Sequence, residues 1–128
     1  MAKTTTKTAV VTSATNTAGS TTRGRVDCSG ADGGMVTFRI TNGGTGPTLQ
    51  CEARVLVSHA TSLPTAASEG TGDDDWKQVY VIGGGTTASA SSRGVYRFGP
   101  EVQHLEIEFT GNTGQSVTVE SIATTYVY

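Results

Sequence analysis

Little in this chain is hydrophobic, charged or aromatic. Hydrophobic residues are 35% of its 128 positions, charged ones 16% and aromatics 6%, against roughly 45–50% apolar and about 25% charged in an ordinary globular domain. No run approaches the ~20 apolar residues that a membrane-spanning helix needs, so no membrane partner is expected. Neither sign of charge dominates: nine basic and eleven acidic residues leave a net charge of −2. The cations are scattered along the chain, unlike the basic stripe of a dedicated nucleic-acid binder, and direct binding of nucleic acid is not expected. Cysteine is scarce too. Cys28 and Cys51 cannot complete a four-ligand zinc site without His59 and His104, and neither pair is close-set as in a finger. The segment Met1–Thr8 lacks the apolar core of a secretory signal. Synthesis in a reducing cytoplasm is therefore expected, with the two thiols acting as small buried apolar groups rather than a disulfide.

What the chain does contain is 23 Thr, 11 Ser and 17 Gly. These are poor helix formers, and few Ala, Leu, Glu or Lys offset them, which excludes a helical bundle. Regular apolar alternation at low net charge excludes disorder. In Met35–Thr41, Val36, Phe38 and Ile40 fall on one face, and Thr37, Arg39 and Thr41 on the other, which is the period of a strand with one buried face. Leu49–Val57 alternates likewise, placing Leu49, Cys51, Ala53, Val55 and Val57 together. Further strands are expected at Ala9–Ser13, Trp76–Ile82 and Val95–Phe98, with a closing hairpin of Val102–Thr110 and Ser116–Val127 around Gly111-Asn112-Thr113-Gly114. In that hairpin Leu105, Ile107 and Phe109 point inward, and His104, Glu106 and Glu108 outward to water. Seven or eight short strands at even spacing predict an all-β fold, an antiparallel β-sandwich of jelly-roll-like or immunoglobulin-like type, ahead of a closed barrel. The 23–128 segment reads as the single sandwich domain. Thr-rich residues 1–22 read as an arm, either mobile or laid as an edge strand on this domain or on a neighbour.

No catalytic site assembles from these residues, and no cofactor or metal is called for. Asp73-Asp74-Asp75 lacks the alternating spacing of a calcium loop. It reads as a solvated acidic tip or as a contact for a basic surface on another protein, within a long loop from Ser58 to Asp75 of the kind that often carries function. Glu106 and Glu108 lie two residues apart, about 7 Å by strand rise; that suits a glycosidase pair on paper and equally describes any wet strand. Gly83-Gly84-Gly85 has no Lys-Ser/Thr after it and is a turn, not a phosphate loop. Trp76 is the sole tryptophan and the natural stacking platform were this a carbohydrate-binding module. Tyr126-Val127-Tyr128 ends the sequence on a strand, which suggests a packed terminus or an interface.

The run Val102-Gln103-His104-Leu105-Glu106-Ile107-Glu108-Phe109-Thr110-Gly111-Asn112-Thr113-Gly114-Gln115-Ser116-Val117-Thr118-Val119 resembles the closing strands of small virion proteins of tailed bacteriophages. Asp75-Trp76-Lys77-Gln78-Val79 and the Thr/Gly/Ser-rich body extend the likeness over residues 35–128; the N-terminal arm departs from it. In style the chain is similar to head decoration, or cement, proteins. That resemblance implies a non-enzymatic β-sandwich on the outer surface of a virion capsid, made in the host cytoplasm. It implies the major capsid protein as partner and a homo-oligomer, dimer or trimer. Its contact candidates are Lys3 and Lys7 of the arm, Asp73, Asp74, Asp75 and Trp76 of the loop, and Tyr126 and Tyr128. The alternatives are another virion part (tail, fibre or head-completion protein) and a carbohydrate-binding sandwich.

Overall fold

The computed structural model describes residues 2–65 and 69–128. Its strands are β1 (Thr4–Asn16), β2 (Thr22–Asp27), β3 (Gly33–Asn42), β4 (Glu52–Ser58), β5 (Lys77–Gly83), β6 (Ser91–Phe98), β7 (His104–Thr110) and β8 (Val117–Val127). They form two four-stranded sheets, ordered β1-β8-β3-β6 and β2-β7-β4-β5, in which each neighbouring pair is antiparallel. The fold is thus an all-β antiparallel sandwich. β1 pairs with β8, β2 with β7, β3 with β6 and β4 with β5. The first half of the chain therefore runs back along the second as one folded ribbon, and alternate pairs enter alternate sheets. This nesting is the double Greek key of a jelly roll. An immunoglobulin sandwich instead joins several sequence-adjacent strands; among the described residues only β4 and β5 are paired consecutive strands.

The alternation in β3 and β8 folds as its period dictates. Val36, Phe38 and Ile40 are buried, and so are Val117, Val119, Ser121 and Ala123 of β8, while Thr37, Arg39 and Thr41 face out. Val55, Leu105, Ile107 and Phe109 close the core from the second sheet. The β7–β8 connection carries Gly111 at φ +99° and Gly114 at φ +82°, a left-handed backbone that glycine adopts at no steric cost.

Several expectations change. Residues 4–16 of the Thr-rich segment are an edge strand of the sandwich, paired with β8 and bulged around Val11. Of the placements left open for it, the one on its own domain is observed. Threonine favours extended backbone, and β8 supplies the ladder. Leu49 does not reach the core: it sits in an isolated bridge to Thr113 and is 62% exposed, because the Gly- and Pro-rich turn ahead of it delays β4 until Glu52. β6 opens at Ser91, ahead of the expected Val95–Phe98 strand, and Trp76 precedes β5 instead of starting it. The largest change is in β7, where His104, Glu106 and Glu108 are all buried.

Cys28 and Cys51 are free and buried, and burial pushes both thiols up to about 11. At neutral pH each is held as the unreactive thiol. Ellman's reagent is therefore expected to label neither in the native protein and both on unfolding in denaturant. Stoichiometric labelling within the mixing time of native protein would contradict this packing.

Candidate functional site

The outer face of the β2-β7-β4-β5 sheet holds a ladder of ion pairs. Register sets Arg25 opposite Glu106, and both Arg23 and Arg54 opposite Glu108. Arg25 Nε lies 2.8 Å from Glu106 Oε1 and Arg23 Nε 3.1 Å from Glu108 Oε2. Arg54 reaches Glu108 Oε1 at 3.7 Å and Glu52 Oε1 at 2.8 Å. Directly opposed side chains share a sheet face, so the Arg-Gly-Arg spacing of β2 matches the Glu-Ile-Glu spacing of β7. Gly24 is required between the two arginines, since a Cβ there would collide with the Val10 backbone carbonyl of the crossing β1 strand. Desolvation raises the Glu106 carboxyl above its ordinary value, while the hydrogen bond and charge of Arg25 oppose that rise. Both carboxylates are occupied by arginines, so this pair is a structural ladder instead of the wet strand face read from the sequence.

Trp76, ahead of β5, covers the Arg25–Glu106 end of this ladder. Residues 66–68 of the expected 58–75 loop lie outside the described residues. Trp76 is fully buried with the Arg25 guanidinium 5.5 Å above its ring. It therefore presents no face on which a sugar or partner could stack, which corrects its place among the contact candidates. Among the described residues its indole Nε1, His104 Nε2 and Glu106 Oε2 are buried without a hydrogen-bond partner, and all belong to this covered face. The acidic tip is pinned from behind through its backbone. Ser58 Oγ donates to the Asp74 carbonyl at 2.8 Å, His59 Nε2 lies 2.9 Å from the Asp73 carbonyl, and Lys77 Nζ donates to the Gly70, Gly72 and Asp75 carbonyls. Asp75 Oδ2 turns inward to accept the Gly72 N–H at 2.9 Å. Asp73 and Asp74 are left exposed.

The remaining candidates gather on the opposite side of the sandwich. Lys3 Nζ stands 5.6 Å over the Tyr126 ring, and Tyr126 meets Tyr128 edge-on at 5.6 Å. Lys7 faces Thr124 in the next register pair. The structure thus brings Lys3, Lys7, Tyr126 and Tyr128 together on the outer β1-β8-β3-β6 face, and Asp73, Asp74, Asp75 and Trp76 on the far side. Arg39, Arg93 and Arg97 join the first group, because Arg39 opposes Arg93 and Met35 opposes Arg97. The apparent scatter of cations is overturned here: strands distant in sequence place them on one face. A groove of about 410 Å³ runs there between Lys3, Met35, Arg97 and Tyr126, and a smaller one of about 180 Å³ beside Arg39, Arg93 and Val95.

Among the described residues the two sheets end in unpaired edges at β5 and β6. Val79, Tyr80, Val81 and Val95 are 39–49% exposed there, and the Tyr80 and Tyr96 rings, 6.3 Å apart, span the gap between the sheets. β5 carries no charge between Gln78 and Gly83. No helix among the described residues is long and apolar enough to cross a membrane.

No family model matches this sequence, and no curated protein matches it. Solved structures do match. The K3 cleaved adhesin domain of Lys-gingipain from Porphyromonas gingivalis superposes with a TM-score of 0.60 at 7% identity, over 88% of this chain and 72% of that one. A chain of the T13 particle of infectious bursal disease virus gives 0.53 at 10%, over 96% of this chain but 31% of its own. A family 29 carbohydrate-binding module from Piromyces equi gives 0.50 at 11%, over 94% and 91%. What is shared is the fold. Viral particle proteins, adhesin domains and carbohydrate-binding modules all use this sandwich, and at such identities the likeness assigns no site.

Proposed function

We propose that this chain is a non-enzymatic structural component of a virus particle, attached to the outside of a bacteriophage capsid and stabilising it. The observation that carries the reading is the apolar edge of β5 at Val79, Tyr80 and Val81. An edge strand without charge from Gln78 to Gly83 that exposes Val79, Tyr80 and Val81 is a template for pairing and association unless something covers it, and a small sandwich with a lean core gains from such cover. The resemblance of residues 102–119 to phage virion proteins supports the reading, and the jelly-roll fold it shares with a virus-particle chain is compatible with it. The partner is the major capsid protein, met by a homo-oligomer whose repeated weak contacts on a lattice give avidity. A carbohydrate-binding role finds less support, since its natural platform, Trp76, is buried.

Mass spectrometry of particles purified from the native source is expected to find the chain at a copy number comparable with that of the shell protein. Removing it should lower the temperature at which the particles release their contents. Absence from the particles, or unchanged thermal release without it, overturns the proposal; a few copies per particle would move it to a tail or head-completion role. Binding on a glycan array would overturn it in favour of carbohydrate recognition.

A further inference from the structure

The basic face and the acidic tip are complementary parts of one chain. The outer β1-β8-β3-β6 face carries Lys3, Lys7, Arg39, Arg93 and Arg97, five of the nine cations, and Glu120 among the eleven anions. Glu120 is taken by Arg39 at 3.3 Å. Among the described residues the other four cations of this face form no ion pair. Arg93 also stands directly opposite Arg39, and like charges opposed across a strand pair destabilise the sheet that holds them. An anionic partner on this face relieves that repulsion. Asp32 does not supply it: it precedes Gly33 at the Tyr126 end of β3, far along the strand from Arg39 and Arg93, and forms no ion pair among the described residues.

The acidic tip lies beyond the other sheet, so no single molecule joins the two. It projects Asp73 and Asp74 from a backbone held by Ser58, His59 and Lys77, and so loses little conformational freedom on docking. Met35, Val95 and Tyr126 between the cations suit a protein partner better than a bare polyanion, and the other ten anions of the chain repel a polyanion at long range.

We infer that a second copy of this chain docks on this face, its Asp73-Asp74 tip meeting the Arg93–Arg97 row of β6 beside the groove between Lys3, Arg97 and Tyr126. The contact is heterologous, face to tip, so copies close into a ring or extend as a chain. This inference is independent of the capsid reading, because it needs nothing beyond the protein alone.

Sedimentation velocity of the purified chain tests it. At low ionic strength the protein is expected to sediment as an oligomer of its 13.2 kDa unit, and raising the salt several-fold should return it to monomer as the charges are screened. An Arg93→Glu/Arg97→Glu variant and an Asp73→Lys/Asp74→Lys variant should each lose association by roughly tenfold or more. Mixing the two restores opposite charges on both halves of the contact, and mixed oligomers should reappear. All these positions are exposed, and unchanged circular dichroism of each variant confirms its fold. A wild type that stays monomeric at low salt overturns the inference. So does association indifferent to either reversal, or a mixture that stays monomeric. Duplex DNA added as a second probe should not bind; DNA binding lost in the arginine variant would reassign the face to nucleic acid and overturn the self-contact.

Discussion

Trp76→Ala is expected to lower the free energy of unfolding by about 3–5 kcal/mol, the range for deleting a buried large aromatic. The indole is fully buried, yet it stands outside the core between the sheets, as does Leu56, which opposes Glu106 on the same outer face. A second, smaller core therefore forms where the loop lies on the sheet. Its roof is Arg25, whose cation over the ring adds about 0.5–2 kcal/mol in a partly desolvated setting. Loss of the indole leaves that roof without a floor and exposes the Glu106 carboxylate to water. Urea titration followed by circular dichroism measures the stability change, and hydrogen exchange of the amides around Gly70–Trp76 should rise ahead of global unfolding. Stability within about 0.5 kcal/mol of wild type, the range of an ordinary surface change, would sink this account and return Trp76 to the contact candidates.

The sequence places Trp76 at the head of a strand and among the contact candidates, and Glu106 and Glu108 on a wet face; the burial of all three has a physical source. Periodicity reports a strand correctly when one face is wet, as in β3, where Thr37 and Arg39 alternate with Val36 and Phe38. It misleads in β7, because carboxylates at 106 and 108 signal water while arginines from both neighbouring strands neutralise them. The signal was present as matching two-residue spacings, Arg23/Arg25 and Glu106/Glu108, but 81 to 85 residues separate the partners, and no local rule links them. The same limit hid the basic face. Lys3, Arg39, Arg93 and Arg97 become neighbours through the strand order β1-β8-β3-β6, which periodicity does not encode. Fold class needs only the local period and the turns. The surface that would do the work depends on which strands become neighbours.

Arg25→Ala should cost about 2–4 kcal/mol near neutral pH, somewhat under the range for breaking a fully buried ion pair because the arginine is itself partly solvated. Its larger consequence is a changed pH dependence. Glu106 titrates above its ordinary value through desolvation, and Arg25 holds it down; without Arg25 its native value climbs further. Between the unfolded and the native value the folded state binds the extra proton, so stability falls as pH rises through that window, by up to about 1.4 kcal/mol per pH unit for one group. The sign is opposite to that of a carboxylate with a depressed native value, whose stabilisation is lost as pH falls. The Arg25→Ala variant is therefore expected to be closest to wild type below about pH 4, where Glu106 becomes protonated in both states, and to diverge steadily toward pH 7 or so. Glu106→Gln removes the titrating group while keeping its shape, and replacing both members of a buried ion pair by neutral groups is often close to neutral in cost. Added to Arg25→Ala it should flatten the slope and recover most of the loss, leaving the part due to the uncovered Trp76 ring. Urea midpoints of the four proteins across this range decide the matter. A penalty for Arg25→Ala that is the same at every pH, or one that Glu106→Gln does not relieve, would mean that the arginine acts by packing over Trp76 alone and that the carboxylate beneath it carries no charge worth pairing.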